Sequence, residues 1–378
     1  MTVAQAKPEG LRSLIAEKAE ALGFAAVGVT GVDALSEWDH EIERRVEAGI
    51  MSAKQRQVYL RRLGSSPSGI MPAARSIVVL ARPYVPFVSP FPKGAAGYSA
   101  HYCAYPQGHA AALLLARELE GVGVRTAAAD ASLPVKPLAV RAGIGSYGLN
   151  SLVHCRESGS FVTLHAIVTD AALDADESSG ASAPDEHCGG CGACVQACPT
   201  GAIQQAGGVV DLARCVRAYM NSGEIVPVEI RLAYGANILG CDACQRCCPL
   251  NARASSRAVE PSMEALELFS LAGILGDGVM ERRTRLEKMR CIIGRNYARE
   301  NRILADAAIA AGNTKEPSLL APLASLISHP HEPVRAHAAW AIGRIGGPAA
   351  VHVLEKALSA ETSPRVVKEI EEALDGCR

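Results

Sequence analysis

The sequence has 378 residues, of which 49% are hydrophobic and 20% charged, so it is long enough to form two or three domains with ordinary cores. Its formal net charge of −1 excludes a global electrostatic field that would draw the whole chain to nucleic acid or to a membrane. The first ten residues lack the apolar region of a signal peptide, and no uninterrupted run of 18 apolar residues predicts a membrane span. We therefore expect a cytoplasmic protein without membrane contact.

The N-terminal part of the chain alternates predicted helices and strands. Residues 11–22 and 108–123 have apolar side chains at helical spacing and end at glycine, whereas 24–29, 76–81, 124–129 and 161–168 are typical of short strands. The stretch 82–106 is rich in proline, glycine, tyrosine and serine and predicts a long loop, which in a compact domain is usually functional. This mixture predicts an α+β protein whose first domain, residues 1–178, is of the α/β type.

Residues 143–148, Gly-Ile-Gly-Ser-Tyr-Gly, match the G-x-G-x-x-G pattern of dinucleotide-binding loops. That fold needs a strand before the pattern and a helix after it, but residues 137–143 are themselves helical in character. Nicotinamide or flavin binding is therefore the weaker interpretation. A tight glycine loop packed closely against a large ligand is the stronger one, because glycine permits close backbone approach.

An acidic, serine-rich connector at 171–187 leads into the densest group of cysteines. Cys188, Cys191, Cys194 and Cys198 have the C-x2-C-x2-C-x3-C-P spacing of bacterial ferredoxins, in which the cysteine before proline ligates the second of two iron–sulfur clusters. Farther along, Cys215 is followed by a second run of similar spacing that contains Cys241, Cys244 and Cys248. Eight thiolates are what two [4Fe-4S] clusters need.

The cross-over rule gives the assignment of ligands to clusters. One cluster takes Cys188, Cys191, Cys194 and Cys248, and the other takes Cys198, Cys215, Cys241 and Cys244. Cys247 is ambiguous, and we prefer Cys248 because Pro249 follows it as Pro199 follows Cys198.

Zinc and disulfides are the alternatives to clusters. Zinc sites generally use ligand pairs separated by a longer loop. The five remaining cysteines are odd in number and scattered, which argues against a disulfide framework and for a reducing compartment. These cysteines are Cys103, Cys155, Cys247, Cys291 and Cys377.

The sequence changes character after residue 251. Residues 281–302 hold eight Arg or Lys against three Glu, which indicates either a solvated helix face or a patch for an RNA backbone. From residue 317 onward, helical segments at 318–328, 333–346, 348–358 and 364–374 resemble a short HEAT-like solenoid. We therefore predict a ferredoxin-like double-cluster domain over 179–255 and a helical HEAT-like domain over 256–378.

The chain resembles the epoxyqueuosine reductase family over nearly its full length, and more distantly the corrinoid-binding core of reductive dehalogenases. The resemblance rests on residues 71–84, 137–152, 159–176 and 240–245, the two cysteine runs and the HEAT-like tail. It implies base-off cobalamin without an axial ligand from the protein, reduced to Co(I) by a neighbouring cluster. The implied reaction is a two-electron reduction that removes the epoxide oxygen of epoxyqueuosine in a tRNA anticodon and gives queuosine.

The resemblance also implies roles for individual residues. The implied cofactor-binding residues are Arg62, Tyr105, Arg141, Gly143, Gly145, Gly148, Asn221, Gly240 and Asp242. Asp130 matches the family's proton donor, although it lies one residue closer to the glycine loop than the pattern expects. A proton donor is required because the oxygen must leave as hydroxide or water.

The implied partners are tRNA and an external electron donor of the ferredoxin or flavodoxin type. The expected tRNA contacts are the HEAT-like tail and Arg282, Arg283, Arg285, Lys288 and Arg290. We expect the chain to be a monomer.

Several pocket-side positions depart from the family's pattern. Leu149 replaces a lysine, residues 164–167 read Leu-His-Ala-Ile where the family has Leu-Gly-Glu-Ile, and residues 105–109 keep only the histidine of Gly-Arg-Asp-Tyr-His. These departures favour a second hypothesis, a paralogue that uses the same cofactors for reductive elimination or dehalogenation of another small molecule. A third hypothesis is an electron carrier that binds no corrinoid. His109 or His165 as a cobalt ligand is the alternative to a plain packed histidine.

Overall fold

The computed structural model describes residues 8–33, 35–51, 56–57, 66–129, 132–176, 188–204, 209–276 and 279–377. Packing divides the chain into two compact units. The first comprises Met1–Pro86, Ala104–Ala213 and Ala243–Ala258, and the second comprises Phe87–Cys103, Arg214–Asp242 and Val259–Arg378. The three domains expected from the sequence, with boundaries near 178 and 255, stay a prediction.

The strands, in chain order, are β1 (Ala26–Thr30), β2 (Ser76–Pro83), β3 (Gly97–Tyr98), β4 (Thr126–Ala128), β5 (Gly145–Tyr147), β6 (Val153–Cys155), β7 (Val162–Thr169) and β8 (Asn237–Leu239). Within the described part of the first 260 residues, the helices are α1 (Pro8–Ala21), α2 (Ser36–Glu47), α3 (Pro67–Ile70), α4 (His101–Gly121), α5 (Val135–Arg141), α6 (Ala193–Ala197), α7 (Val216–Tyr219), α8 (Val228–Ala233), α9 (Ala243–Arg246) and α10 (Ala252–Ser255). Those that follow are α11 (Met263–Leu268), α12 (Leu271–Gly276), α13 (Val279–Ile293), α14 (Glu300–Thr314), α15 (Leu320–Leu326), α16 (Glu332–Ile345), α17 (Pro348–Ala360) and α18 (Pro364–Cys377).

A four-stranded sheet forms the centre of the first unit. Its order is β1-β2-β7-β4 and every neighbouring pair is antiparallel, which confirms the α+β class. Alternate side chains of β2 point to opposite faces of the sheet and pack in different hydrophobic cores. Val78 and Leu80 pack with α1 and α4, whereas Ile77 and Val79 pack with α5. Both faces of the sheet are therefore buried, which explains the continuous apolar run at 76–81.

The four predicted strands of the N-terminal part are confirmed within a few residues. The predicted loop over 82–106 was wrong at its C-terminal end, because α4 begins at His101 and includes Pro106. Proline is normally confined to the first turn of a helix, so its presence made this stretch look irregular. The predicted glycine loop forms a hairpin instead, in which β5 pairs with β6.

The second unit is mostly helical. Helices α14, α16 and α18 pack side by side in the HEAT-like tail, with α16 in contact with both others, around buried residues such as Ile309, Ala338 and Ile370. A short parallel pair, β3 with β8, belongs to the same unit. No helix in the described parts of the chain is long and apolar enough to cross a bilayer.

Candidate functional site

A cavity of about 150 Å³ in the first unit is lined by cysteines from both cysteine runs. It brings together Cys188, Cys191, Cys194 and Cys248, the four residues predicted to ligate one cluster. Among the described residues, no three His, Cys, Asp or Glu are placed to hold a single metal ion. None of the thirteen cysteines, all of which lie in described segments, forms a disulfide.

Glycines shape the loop that carries the first three of these cysteines. Gly189, Gly190 and Gly192 have φ values of 61°, 60° and 75°, a region that side chains with a Cβ rarely adopt. Gly192 also begins helix α6, which holds Cys194. The backbone can therefore turn around the cavity within seven residues.

The two cysteines that precede proline share one backbone conformation. Cys198 has φ −70° and ψ 115°, and Cys248 has φ −74° and ψ 125°. The ring of the following proline disfavours the helical region for the preceding residue, so each cysteine is held extended at the end of a turn. This likeness supports the sequence argument that Cys248 corresponds to Cys198.

The thiols around the cavity are close enough to perturb one another. Burial and the neighbouring Cys247 and Cys188 raise the pKa of Cys194 to about 11. Burial, Cys188 and Cys191 raise the pKa of Cys248, against the lowering effect of the Leu250 N–H. Thiolates crowded in this way repel each other unless a cation lies among them, so the donor set fits iron, which thiolates bind in iron–sulfur clusters.

Cys247 lies near this group as well. Its pKa is raised by burial and by Cys191, and its thiol donates to the carbonyl of Cys244 at 3.7 Å. Cys248 lines the cavity, whereas Cys247 is not part of the lining. The choice of Cys248 as ligand stays a prediction, which the cavity favours.

The second predicted ligand set consists of Cys198, Cys215, Cys241 and Cys244. Cys198 and Cys244 belong to the first unit, and Cys215 and Cys241 belong to the second unit. Burial raises the pKa of Cys198, but hydrogen bonds donated to its sulfur lower the pKa by more, so it lies below the ordinary value of a thiol. One of these donors is the N–H of Ala202, 3.2 Å from the sulfur. Such hydrogen bonds to sulfur are known to tune cluster potentials. The assignment of these four cysteines stays a prediction.

A buried asparagine anchors the segment that carries Cys244 and Cys248. Asn251 accepts a hydrogen bond from the Ser160 N–H (2.7 Å) and donates to the Ser160 hydroxyl (2.9 Å) and to the Gln245 carbonyl (2.7 Å). Gln245 in turn donates to the Ser160 carbonyl at 2.8 Å. Gly159 is required beside it, since a Cβ there would collide with the Asn251 side chain and the Leu250 carbonyl. We call Ser160, Gln245 and Asn251 the polar anchor.

A second contact ties the same segment to the β5–β6 hairpin. Asn150 donates to the carbonyl of Cys244 (3.2 Å) and accepts from the N–H of Leu152 (3.2 Å). Its amide oxygen also lies 3.3 Å from Nε2 of His154, and both residues line the cavity. Sequence reasoning missed the role of the polar anchor and of Asn150, because an isolated asparagine or serine carries no periodic signal.

Two predicted cofactor-binding glycines of the hairpin are explained by contacts within the chain. A Cβ on Gly145 would collide with the backbone of His154, and a Cβ on Gly148 would lie 2.7 Å from the His154 ring. Gly143 has φ 71° and follows the end of α5. Glycine is thus needed here for the hairpin itself, and a role in cofactor binding stays a prediction.

Arg141 and Tyr105 are likewise engaged with their own chain. Arg141 donates to the Thr30 hydroxyl (2.7 Å) and to the carbonyls of Gly31 (2.8 Å) and Asp33 (3.1 Å), and burial lowers its pKa. The ring of Tyr105 lies 5.2 Å from that of His165. The Arg141 contacts hold the loop after β1, and the Tyr105 contact joins α4 to β7.

Histidine 165 is a packed core residue. It is fully buried, its Nε2 lies 2.9 Å from the Thr163 hydroxyl, and Phe24 contacts its ring edge-on. The structure thus supports the interpretation of His165 as a packed histidine.

The second unit holds Asn221, Gly240 and Asp242. Asn221 has φ 60°, and three hydrogen bonds fix it: its N–H donates to Asp306 (2.6 Å), its amide donates to the Tyr297 carbonyl (2.9 Å), and its carbonyl accepts from Arg302 (2.9 Å). Gly240, with φ 80°, packs against Ser99 and Tyr102. These contacts hold the backbone in place at Asn221 and Gly240, two of the predicted cofactor-binding residues.

The basic helix α13 divides into two classes of side chain. Arg285 donates to the carbonyls of Glu267 and Leu268, Arg290 pairs with Glu287, and Arg282 lies 3.5 Å from Glu300. Arg283 and Lys288 are exposed. Three of the five side chains predicted to contact tRNA therefore also make contacts within the protein, and the other two are exposed to solvent.

Arg62 and Asp130, predicted as a cofactor-binding residue and as the proton donor, lie outside the described residues.

Two family profiles match parts of the chain. Residues 187–251 match a 4Fe-4S double cluster binding domain, and residues 298–375 match HEAT repeats. The first match covers all eight predicted ligands, so the expectation of two clusters is confirmed. The second confirms the HEAT-like tail.

Individual proteins match over most of the chain. The epoxyqueuosine reductase of Bacillus subtilis (strain 168) is 27% identical over 378 residues, which covers 97% of this chain and 95% of that protein. That of Vibrio cholerae is 32% identical over 256 residues, 64% of this chain and 67% of that protein. A solved epoxyqueuosine reductase with an epoxyqueuosine-modified tRNA-Tyr stem loop has a TM-score of 0.82 and 27% identity, covering 98% of this chain and all of that one.

Proposed function

The chain belongs to the epoxyqueuosine reductase family, and we propose on that premise that it reduces epoxyqueuosine in tRNA to queuosine. The observation that carries the proposal is the full-length likeness to a solved epoxyqueuosine reductase with a modified tRNA stem loop. The cavity formed by Cys188, Cys191, Cys194 and Cys248 supports the redox half of it.

The reaction consumes two electrons and two protons. Both carbon–oxygen bonds of the epoxide break, a carbon–carbon double bond forms, and the oxygen leaves as water. An external carrier of the ferredoxin or flavodoxin type would supply the electrons one at a time, and clusters held by the two cysteine sets would relay them. We place the reaction in the cytoplasm, and a set of thirteen cysteines without a disulfide is compatible with that reducing compartment.

Cobalamin is the proposed cofactor, and when bound it would supply a two-electron reductant. Nine residues would hold it through contacts other than a histidine, cysteine or methionine ligand. They are Arg62, Tyr105, Arg141, Gly143, Gly145, Gly148, Asn221, Gly240 and Asp242. His165, the imidazole beside Tyr105, is buried and hydrogen-bonded to Thr163, so it is engaged within its own chain.

Asp130 is the proposed proton donor to the leaving oxygen. The reaction requires such a group because hydroxide is a poor leaving group without protonation. An Asp130→Asn substitution keeps the size and removes the proton. We expect it to lower turnover by about two orders of magnitude or more while cluster content is retained.

The exposed face of α13 is the proposed contact for the tRNA backbone. Arg283 and Lys288 are the members of the predicted set that face solvent, and phosphate contacts of this kind position an RNA without reading its bases. Arg282, Arg285 and Arg290 contribute by holding the helix in place.

A gene deletion tests the substrate. A strain without this gene is expected to accumulate epoxyqueuosine in its tRNA, measured by mass spectrometry of nucleosides, and the gene supplied on a plasmid is expected to restore queuosine. Normal queuosine in the deletion strain would overturn the proposal.

The departures at 105–109, at Leu149 and at 164–167 favour a second candidate, reduction of another small molecule with the same cofactors. Purified, reconstituted protein that ignores modified tRNA but turns over such a compound would decide for it. Anaerobic reconstitution with cobalamin separates both candidates from a simple electron carrier, because only they predict a base-off Co(II) signal in electron paramagnetic resonance.

A further inference from the structure

One side of the cavity that holds the first ligand set is open to solvent. Cys191 is exposed, as are Gly189 and Gly190, and a Cβ built on Gly190 meets no atom within 4 Å. Cys194, on the other hand, is buried. Because electron transfer slows steeply with distance, the exposed loop Cys188–Cys191 offers an external carrier a close approach to this cluster.

Exposed arginines lie in segments of the first unit that adjoin the cavity lining. Leu250 lines the cavity, and two arginines follow it in sequence, Arg253 in α10 and Arg257 just after the end of that helix. The N–H of Arg257 donates to the Ala254 carbonyl at 3.1 Å. Both side chains are exposed.

A third arginine comes from the turn after β6. Arg156 is exposed, and the turn that carries it packs on the cavity wall, because Gly159 contacts the Leu250 carbonyl and Ser160 bonds to Asn251. Glu157 is an exposed acidic residue of the same turn. Among the described residues of these two segments, three arginines and one glutamate are therefore exposed beside the cavity lining.

We propose that the loop Cys188–Cys191 with Arg156, Arg253 and Arg257, here called the docking surface, binds an acidic one-electron carrier protein. The inference rests on the proposed function, since it takes the cluster of Cys188, Cys191, Cys194 and Cys248 as the one that electrons reach first. Each encounter oxidises the carrier by one electron and reduces the cluster by one, with no transfer of atoms. The arginines attract the carrier and orient it, so their main effect is on the association rate.

An RNA backbone would also be attracted by three arginines, and it is the competing occupant. The exposed cluster loop among them favours the carrier, because a phosphate backbone gains nothing from contact with a redox centre. Measurements of carrier reduction and of RNA binding on the same variants distinguish the two.

The test is the rate at which a reduced acidic flavodoxin bleaches the visible absorption of the reconstituted holoprotein in anaerobic stopped flow. The double variant Arg253→Glu/Arg257→Glu is expected to lower the second-order rate constant about tenfold at low ionic strength. The difference is expected to shrink at about 0.5 M salt, where the Debye length is only a few ångströms. Reduction by dithionite, which does not need the docking surface, is expected to be unchanged.

Three controls make the result specific. Arg117→Glu reverses an exposed arginine on α4 and is expected to leave the flavodoxin rate unchanged. Arg253→Lys/Arg257→Lys keeps the charge and is expected to keep most of the rate. Arg156→Glu, on a different turn, is expected to lower the rate as the double variant does, so the inference does not depend on α10 staying intact.

Three outcomes would overturn the inference: an unchanged flavodoxin rate in both Arg156→Glu and the double variant, an equal loss in Arg117→Glu, or weakened tRNA binding with unchanged carrier reduction. Failure of the proposed function would look different. In that case the carrier would still reduce the clusters, and epoxyqueuosine would persist even with dithionite as the reductant.

Discussion

Single residues decide how the iron is held. The spacing of the cysteines predicts eight ligands, but two adjacent thiols, Cys247 and Cys248, compete for one position. The cavity favours Cys248, since this residue lines it and shares the backbone conformation of Cys198. Proline after the cysteine explains the likeness, because it restricts the preceding residue to extended geometry.

Substitution of each thiol separately tests this choice. Cys248→Ser is expected to lose about half of the iron and sulfide of the reconstituted protein, because one of two clusters lacks a ligand. Cys247→Ser keeps the ligand set and is expected to retain full iron content. Iron and sulfide analysis measures both, and a reversal of the two results would show that Cys247 is the ligand.

Glycine 108 is a second residue whose identity follows from a contact. A Cβ at this position on α4 would lie 2.7 Å from the Thr163 hydroxyl and would collide with the His165 ring, both on β7. Gly108→Ala is therefore expected to destabilise the protein by about 1–3 kcal/mol through overpacking. Gly121→Ala is the matched control, because this last residue of the same helix has no atom within 4 Å of an added Cβ. Thermal unfolding of the two variants measures the difference, and equal melting temperatures would contradict the packing argument.

At the scale of elements, long-range polar contacts hold the cluster segment. The polar anchor joins residues 91 and 85 positions apart in sequence, and Asn150 adds a contact across 94 positions. Asn251 is 1% exposed and its side chain satisfies three partners, so its loss leaves buried polar groups without a bond.

Asn251→Ala is expected to cost about 2–4 kcal/mol of stability and to speed the loss of iron to a chelator. Ser256→Ala is the matched control, because Ser256 is an exposed residue of the same segment whose hydroxyl bonds only locally to the Arg253 carbonyl. Chelator-dependent bleaching measured for both variants checks the prediction. Equal rates would mean that the polar anchor does not secure the cluster.

Helix α14 places a carboxyl group in the core of the second unit. Burial raises the pKa of Asp306 to about 8, although the Asn221 N–H, Tyr234 and two arginines lower it in part. The folded state therefore keeps its proton up to about pH 8, whereas the unfolded chain releases it near the ordinary value of 3.8. Because the unfolded state binds fewer protons between these values, this group lowers stability as pH rises through the window, by up to about 1.4 kcal/mol per pH unit.

Asp306→Asn removes this titration. The stability of the variant relative to the parent is expected to increase from pH 5 to pH 8, because only the parent has to bury a charge or hold a proton at high pH. Denaturant midpoints at both pH values measure it. A constant difference between the two proteins would contradict the raised pKa.

At the scale of the whole molecule, two family profiles and full-length relatives agree on a reductase with two clusters and HEAT repeats. The basic helix α13 shows how charge is divided between the fold and a partner. Arg285 bonds to two carbonyls of its own chain, whereas Arg283 and Lys288 are exposed.

The two classes of side chain predict different phenotypes. The double variant Arg283→Ala/Lys288→Ala is expected to weaken binding of an anticodon stem loop, with an unchanged melting temperature. The slope of log K against log salt concentration is expected to become shallower by roughly one unit per lost phosphate contact. Arg285→Ala is expected to lower the melting temperature and to affect RNA binding only through stability. Fluorescence anisotropy over a salt series measures the affinity, and an unchanged slope in the double variant would place the RNA elsewhere.

The sequence by itself determined the two clusters, the α+β class and the HEAT-like tail. Each of these features is specified by residues close together in sequence. Cluster ligands recur every third or fourth residue, a strand is a short apolar run, and a helix has apolar residues at a regular repeat. Local patterns of this kind can be recognised without knowing which distant residues contact them.

Tertiary structure alone decided which residues support those elements. The need for glycine at 145 and 148, the polar anchor around Asn251 and the division of the basic helix all depend on contacts with other segments. Pro106 shows the same limit, since a residue that usually marks a loop lies inside α4. The physical reason is that a buried polar group or a close backbone approach is specified by its distant neighbour, and no local period records that neighbour.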